Sequence, residues 1–428
     1  MKYVCIRRTR TGEFALGAMI AVWLLGGVET CLAQEALRMS IAGAEAAEAR
    51  RKAVTTIGYY NFKLGPTAWR FSAGLGMEYN DNVNLREENP EGDFIFRPSV
   101  GANMLWPITE KNTLNLTLGA GYSAYLTHPE LSQIFITPGS GVSFDIYIGD
   151  FSINLHDRFS ITEYAYQNPT VSRTGEYAQL ENALGASALW DLNKGIVTLG
   201  YDHVNYMSLT SNQRTQDGVS DVFFANAGLV FRPDMVAGVE FGTGFINYSS
   251  TNAPNATQWN AGLFYRAILS QYFNTKLNAG YTVYSPGKSG AFAGLSDTSA
   301  IYVQLEVNHR LNRAVSYSAA AGHSVNLSFY GQNYELYYVQ VQPNWNIIKK
   351  LSISTPFFWE HGTGLAGYYG YSLQGEKFDR FGGGISLRRA ITRKLSSGLS
   401  YQFVLRDSDV RSTRYTLDTV SLSFSYQF

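Results

Sequence analysis

Val420-Ser421-Leu422-Ser423-Phe424-Ser425-Tyr426-Gln427-Phe428 alternates apolar and small polar residues without a break. An extended strand places successive side chains on opposite faces, so this stretch has one greasy face and one wet face. It stops on an aromatic residue. A strand of this kind closes a bacterial outer-membrane barrel, with one face toward lipid and the other toward an aqueous lumen. The competing reading is a soluble all-β sandwich or barrel, whose apolar rows would meet in a dry interior.

Working outward, Thr113–Leu126 repeats the pattern. Leu114, Leu116, Leu118, Ala120, Tyr122, Ala124 and Leu126 oppose Asn115, Thr117, Gly119, Gly121 and Ser123. Phe151, Ile153, Leu155 and Phe159 oppose Ser152, Asn154, His156 and Arg158, and Leu395, Leu399, Tyr401, Phe403 and Leu405 oppose Ser396, Gly398, Ser400, Gln402 and Arg406. A slip of one residue would exchange the two solvents, so the alternation fixes register. From Thr67 onward about eighteen such segments are predicted, with sixteen as the alternative count. The connections sort by parity. Pro107–Asn112, Gly149–Asp150, Asp191–Gly195, Arg232–Asp234, Gln271–Thr275, Leu311–Arg313, Lys349–Lys350 and Ile391–Lys394 are tight. Asn80–Gly92, Thr127–Ser132, Gln167–Thr174, Thr210–Gly218, Ser249–Ala256, Pro286–Asp297, Gly362–Leu373 and Arg406–Arg411 are longer and more polar, with Tyr330–Asn333 a shorter member of that set. Short periplasmic turns alternating with longer outside loops mark an up-and-down antiparallel transmembrane β-barrel. A sandwich has no reason to sort its loops this way.

Bulk properties agree. No apolar run past the N-terminal segment is long enough for a spanning helix, and the mean hydropathy of −0.13 is what half-polar strands produce. Lys2, Arg7, Arg8 and Arg10 precede an apolar Ala15–Val28 stretch and a small-residue Cys31-Leu32-Ala33 site, which reads as a cleaved signal peptide over residues 1–33. Both cysteines, Cys5 and Cys31, fall in it, so the mature chain has no disulfide, thiolate metal site or cysteine nucleophile. The whole chain has 34 basic and 34 acidic residues; removing the signal's four basic and two acidic leaves 30 against 32, a balance that argues against a nucleic-acid binder. Residues 34–66 form a periplasmic leader or a plug, with an Ala-rich helical stretch from Gln34 to about Thr56, and residues 67–428 form the barrel.

Aromatic residues gather at strand ends, as interfacial girdles require. Trp106, Trp190, Trp345 and Phe151 lie at tight-turn ends; Tyr177, Tyr248, Trp259 and Trp359 lie at loop ends. Phe424, Tyr426 and Phe428 supply the apolar signal read by the barrel-assembly machinery. The polar faces carry Glu78, Arg97, Asp145, Arg158, Glu181, Glu240, Arg266, Lys276, Glu306, Glu360, Arg380 and Arg388, which are predicted to line the lumen because a charge facing mid-membrane lipid costs about 2–4 kcal/mol. A barrel this size admits water, and mixed charges set a transverse field. Tyr125, Tyr147, Phe264, Tyr284, Tyr302 and Tyr338 face inward by parity and are candidates for stacking on sugar rings.

Catalysis finds little support. The six histidines, His128, His156, His203, His309, His323 and His361, have no metal-ligand spacing. His323 and Ser324 are adjacent, so they point to opposite faces and cannot form the nucleophile–base pair of an outer-membrane lipid hydrolase. No catalytic residue, metal or cofactor is assigned. Asn80-Asp81-Asn82-Val83-Asn84 is oxygen-rich; a local Asx-type turn accounts for it better than weak Ca²⁺ binding.

Phe62-Lys63-Leu64-Gly65-Pro66 followed by Glu78-Tyr79-Asn80-Asp81-Asn82-Val83 resembles the entrance of the outer-membrane β-barrel porin family, whose members show a Gly-Pro lead-in and a Tyr-x-Asp-Asn loop after the first strand. The resemblance covers about twenty residues and brings no catalytic residues. It implies a barrel, and an envelope-polysaccharide setting, since some members are encoded beside exopolysaccharide assembly genes. Two functions follow as expectations for an exported protein in outer-membrane lipid: passive passage of small hydrophilic solutes, or exopolysaccharide export or anchoring with a polysaccharide partner. Oligomeric state and solute identity are not encoded legibly.

Overall fold

The computed structural model describes residues 60–175, 177–210, 217–250, 254–288, 297–327, 333–364 and 376–428. The expected signal peptide and helical leader lie outside these residues.

Every strand pairs antiparallel with its chain neighbours. In order they are β1 Thr67–Asn80, β2 Asp93–Pro107, β3 Asn112–Tyr125, β4 Gln133–Ile148, β5 Phe151–Thr162, β6 Gln179–Asp191, β7 Gly195–Ser208, β8 Gly218–Arg232 and β9 Met235–Tyr248. There follow β10 Ala256–Ser270, β11 Phe273–Pro286, β12 Thr298–Arg310, β13 Val315–Leu327, β14 Asn333–Ile348, β15 Leu351–Gly364, β16 Lys377–Ala390, β17 Leu395–Ser408 and β18 Tyr415–Gln427. β15 is interrupted at Thr355-Pro356, where proline has no N–H to give the ladder. Its register is unchanged across the gap: Ser354 faces Ser386 and Phe357 faces Gly383. The Pro356 carbonyl still accepts from Gly384 N at 2.9 Å. β18 closes on β1, with Gln427 opposite Ser72 and Val420 opposite Tyr79. The result is a closed barrel of eighteen strands. Closure leaves no unpaired edge, which is what lets a sheet stand in lipid.

A short lead-in strand, Phe62–Leu64, folds back on Thr67–Trp69. Gly65 in the turn has φ +54, a left-handed conformation that a side chain disfavours. The Gly-Pro pair of the family resemblance is therefore this turn.

The alternation sorts the faces as expected. Val420, Leu422, Phe424, Tyr426 and Phe428 all point outward and are exposed, while Ser400 and Ser421 meet inside at 2.6 Å. Trp106, Trp190 and Trp345 lie outward at tight-turn ends, and Trp259 lies outward near a loop end. Phe151 stacks on Trp190 at 5.3 Å, and Trp359 stacks on His361 at 6.4 Å. Two girdle expectations fail. Tyr177 is 4% exposed, because its loop tucks inside the barrel. Tyr248 shares the inward parity of Ile246 and packs with Ile246, Ala256 and Tyr284.

β16 measures the hydrocarbon band. Its outward residues run Asp379, Phe381, Gly383, Ile385, Leu387, Arg389. The two charges are ten positions apart, about 26 Å along the normal at an ordinary rise and tilt, close to the ~25 Å apolar band of transmembrane barrels. Asp379 and Arg389 thus bracket the lipid tails. The barrel spans a membrane with strands; among the described residues no helix is long and apolar enough to do so. Ile385→Arg is expected to cost about 2–4 kcal/mol in refolding into vesicles. Leu387→Arg, closer to the interface, should cost about 0–1 kcal/mol. Equal penalties would misplace the band.

Candidate functional site

The lumen carries the only concentrated chemistry among the described residues, and it is divided along its axis. Toward the tight turns the inward charges are wet: Lys276 Nζ lies 3.3 Å from Glu306 Oε2 with the two side chains 38% and 51% exposed, and Arg388 is exposed. Toward the loops the inward side chains are buried. Along β1–β2 and β15–β18 this burial comes from the connection between β5 and β6, described over residues 163–175 and 177–178, which folds against the inner wall instead of standing outside it.

Ion pairs pin this loop. Arg97 on β2 reaches Glu78 of β1 with Nη1–Oε2 at 2.6 Å and Glu163 of the loop with Nε–Oε1 at 2.9 Å. Its guanidinium sits 4.7 Å from the Tyr164 ring centroid, and Ser123 Oγ accepts from its Nε at 3.0 Å. Farther round the wall, Arg380 on β16 pairs with Glu360 of β15 and donates to the Tyr166 carbonyl at 2.6 Å. Arg406 on β17 donates to the Pro169 carbonyl at 3.2 Å and pairs with Glu376 at 2.9 Å. Each charge is buried with an opposite partner, the condition under which a buried charge is tolerated.

Apolar packing completes the closure. Ala165, Val171 and Tyr177 of the loop and Leu85 of the first outside loop pack on Phe358, Val404, Tyr415 and Leu417 of the wall, with Tyr166 against the cluster. The Leu85 carbonyl accepts from Arg173 N at 2.9 Å. Burial pushes the Tyr164 and Tyr166 hydroxyls above their ordinary range, so both rings stay neutral. The sequence placed Glu78, Arg97, Glu360 and Arg380 on inward faces. It put Arg406 on the polar face of its strand without counting it among the lining residues, and it missed Glu163, Tyr164 and Glu376. The signal available was the loop's composition: Tyr164, Ala165, Tyr166, Val171 and Tyr177 are too apolar for a connection standing in water.

A second polar row crosses β3 to β7. Asp145 accepts from Asn115 at 3.0 Å and from Asn154 at 2.6 Å. Asn154 Oδ1 lies 2.8 Å from His156 Nδ1. Because the Asn154 amide nitrogen is committed to Asp145, His156 Nδ1 is the donor there. His156 Nε2 lies 2.7 Å from Asp202 Oδ1, and Arg158 reaches Asp202 at 3.3 Å. Of these, Asp145 and Arg158 were expected lining residues, Asn154 and His156 lay on the polar face expected for their strand, and Asp202 was not anticipated. Glu181 is also inward and buried.

The third group is aromatic. Glu240 accepts from Tyr302 at 2.6 Å and from Asn278 at 2.6 Å, and Arg266 stands 5.1 Å from the Phe264 ring centroid. Tyr125 and Tyr147 lie on inward faces, half-buried. Tyr284 packs with Ile246 and Ala256, whereas Tyr338 packs with Tyr334, Leu336 and Phe378. The six anticipated rings thus fall into separate clusters and do not form one track. Several inward rings lie flat on the wall over glycines. A Cβ on Gly262 would collide with the Tyr302 hydroxyl, and one on Gly362 with the Phe378 ring. Gly262→Val is expected to lift Tyr302 from Glu240 and cost about 1–3 kcal/mol, read as a lower urea midpoint; an unchanged midpoint would show that the ring has somewhere else to go.

Outside the lumen, Asn80 Oδ1 accepts from Asn82 N at 2.8 Å, and Asn82 holds Arg86 and the Thr416 carbonyl. Asp81 accepts from Asp418 N at 2.7 Å, and burial raises its carboxyl above the usual range. The oxygens of the Asn-rich run are thus engaged in building the loop. Among the described residues no group of three or more His, Cys, Asp or Glu is arranged to hold a metal ion. His323 stacks on Tyr337 at 4.3 Å on the outer face, and Ser324 is buried inside.

No family model and no curated protein matches the chain. Among solved structures, it is similar to the outer membrane protein OpdK of Pseudomonas aeruginosa, at 12% identity and TM-score 0.47 over 84% of this chain and 98% of that one. It is similar to OccK3 (OpdO) of Pseudomonas aeruginosa, at 13% identity and TM-score 0.45 over 84% and 95%, and to OccAB3 of Acinetobacter baumannii, at 11% identity and TM-score 0.47 over 84% and 99%.

Proposed function

We propose that the protein is an outer-membrane channel giving passive passage to small hydrophilic solutes, with its tight turns in the periplasm. The observation that supports this most is the folded-in loop 163–178. A barrel with no traffic needs only a packed lumen. Here the wall toward the tight turns stays wet and charged, and the β5–β6 connection, held by Arg97, Arg380 and Arg406 and joined by Leu85 of the first outside loop, narrows the loop side. Mixed, hydrogen-bonded charges beside a constriction favour polar solutes over apolar ones. Glu78, Asp145, Arg158, Glu181, Glu240, Arg266, Lys276, Glu306, Glu360 and Arg388 form the polar wall in this reading.

Planar-bilayer recording of purified, folded barrel tests it. Discrete conductance steps are expected, small for a barrel of this girth because the loop fills part of it. Folded protein that conducts nothing under any ionic condition would sink the proposal. The dispersal of the inward aromatic rings into separate clusters gives no continuous sliding track for a polysaccharide.

A further inference from the structure

The tight turns differ around the rim. Three consecutive ones join β12 to β13, β14 to β15 and β16 to β17. They carry Arg313, then Lys349 and Lys350, then Arg393 and Lys394, with Arg389 on the lipid face just above the last. None of the three contains Asp or Glu. All six cations are exposed, and among the described residues none makes an ion pair. On the opposite side the turn cations are offset: Lys111 follows Glu110, and Lys194 lies near Asp191.

Each basic turn also holds exposed aliphatic residues: Leu311 at 56%, Ile347 and Ile348 at 53% and 63%, and Ile391 at 43%. Trp345 stands four residues before Lys349 on the same face as Ile347. Aliphatic side chains at a cationic edge just beyond an aromatic girdle have the pattern of a membrane interface, with the aliphatic groups among acyl chains and the cations at phosphate level. A soluble acidic protein or polyanion would need the cations alone.

We propose that the β12–β17 arc of the rim binds anionic glycerophospholipid of the periplasmic leaflet, selectively over zwitterionic lipid. This rests on the membrane-spanning reading and not on conduction. Each cation near a lipid surface contributes a modest electrostatic attraction, and six on one arc make the preference local.

The test is native mass spectrometry of the full barrel in detergent, incubated with equal phosphatidylglycerol and phosphatidylethanolamine. Wild type is expected to retain phosphatidylglycerol preferentially. The Lys349→Gln/Lys350→Gln/Arg393→Gln/Lys394→Gln variant should lose that preference by about tenfold or more. The Lys111→Gln/Lys194→Gln control should keep it. Heat-modifiable gel migration reports folding of each, and Lys349→Gln/Lys350→Gln alone, with an intermediate loss, serves if the quadruple variant does not fold. Equal retention of the two lipids by wild type, an equal loss in the control, or tighter binding of soluble poly-glutamate than of phosphatidylglycerol would overturn the assignment. A barrel that conducts nothing yet keeps the lipid preference would sink the channel reading and leave this one standing.

Discussion

Arg97→Ala is expected to destabilise the barrel by about 3–5 kcal/mol, measured as the shift in urea midpoint of protein refolded in vesicles. The arginine stands between two carboxylates, Glu78 and Glu163, whose side chains are 11% and 3% exposed. Removing it leaves both in a dry setting with their shared cation gone. The size of the loss comes from the orphaned charges more than from the lost attraction, since a buried pair gains little over apolar packing. Arg97→Met combined with Glu78→Gln and Glu163→Gln should therefore recover much of the loss. If Arg97→Ala alone is nearly neutral, water reaches the carboxylates and the loop is not sealed against the wall. Arg406→Ala should behave alike, because Glu376 is buried beneath it.

Replacing Tyr164–Tyr177 with a short Gly-Ser linker is expected to raise single-channel conductance several-fold while the barrel still folds. The eighteen strands set a girth that leaves an aqueous channel when nothing fills it, and this loop packs into its outer half against β2 and β15–β18. Deleting it exposes Phe358, Val404, Tyr415 and Leu417 to the lumen, so some loss of stability should accompany the gain. An unchanged conductance after replacement of Tyr164–Tyr177 would place the narrow point elsewhere.

The wall of this barrel is written locally. A strand's alternation answers only to the two solvents beside it, so Val420–Phe428, Thr113–Leu126 and their siblings could be assigned a face and a register without knowing their neighbours. Tight turns such as Lys349–Lys350 and Ile391–Lys394 were visible for the same reason: few residues can close a hairpin that small. Glu78, Arg97, Glu360 and Arg380 were placed inside because charge avoids lipid. Their pairing was partly within reach, since Glu360 faces Arg380 across one ladder.

The loop's destination was not written in any local pattern. Whether residues 163–178 stand in solvent or cross the lumen depends on partners far along the chain: Glu163 on Arg97, Tyr166 on Arg380, Pro169 on Arg406. Those contacts exist only once β1 and β18 have met and the wall has curved round, and each rests on burial that no single segment possesses. The same closure withdrew Tyr177 from the girdle. Alternation in the chain dictated which solvent each side chain faces; closing the cylinder decided which charges meet inside it, because burial and ion pairing are properties of the enclosed space.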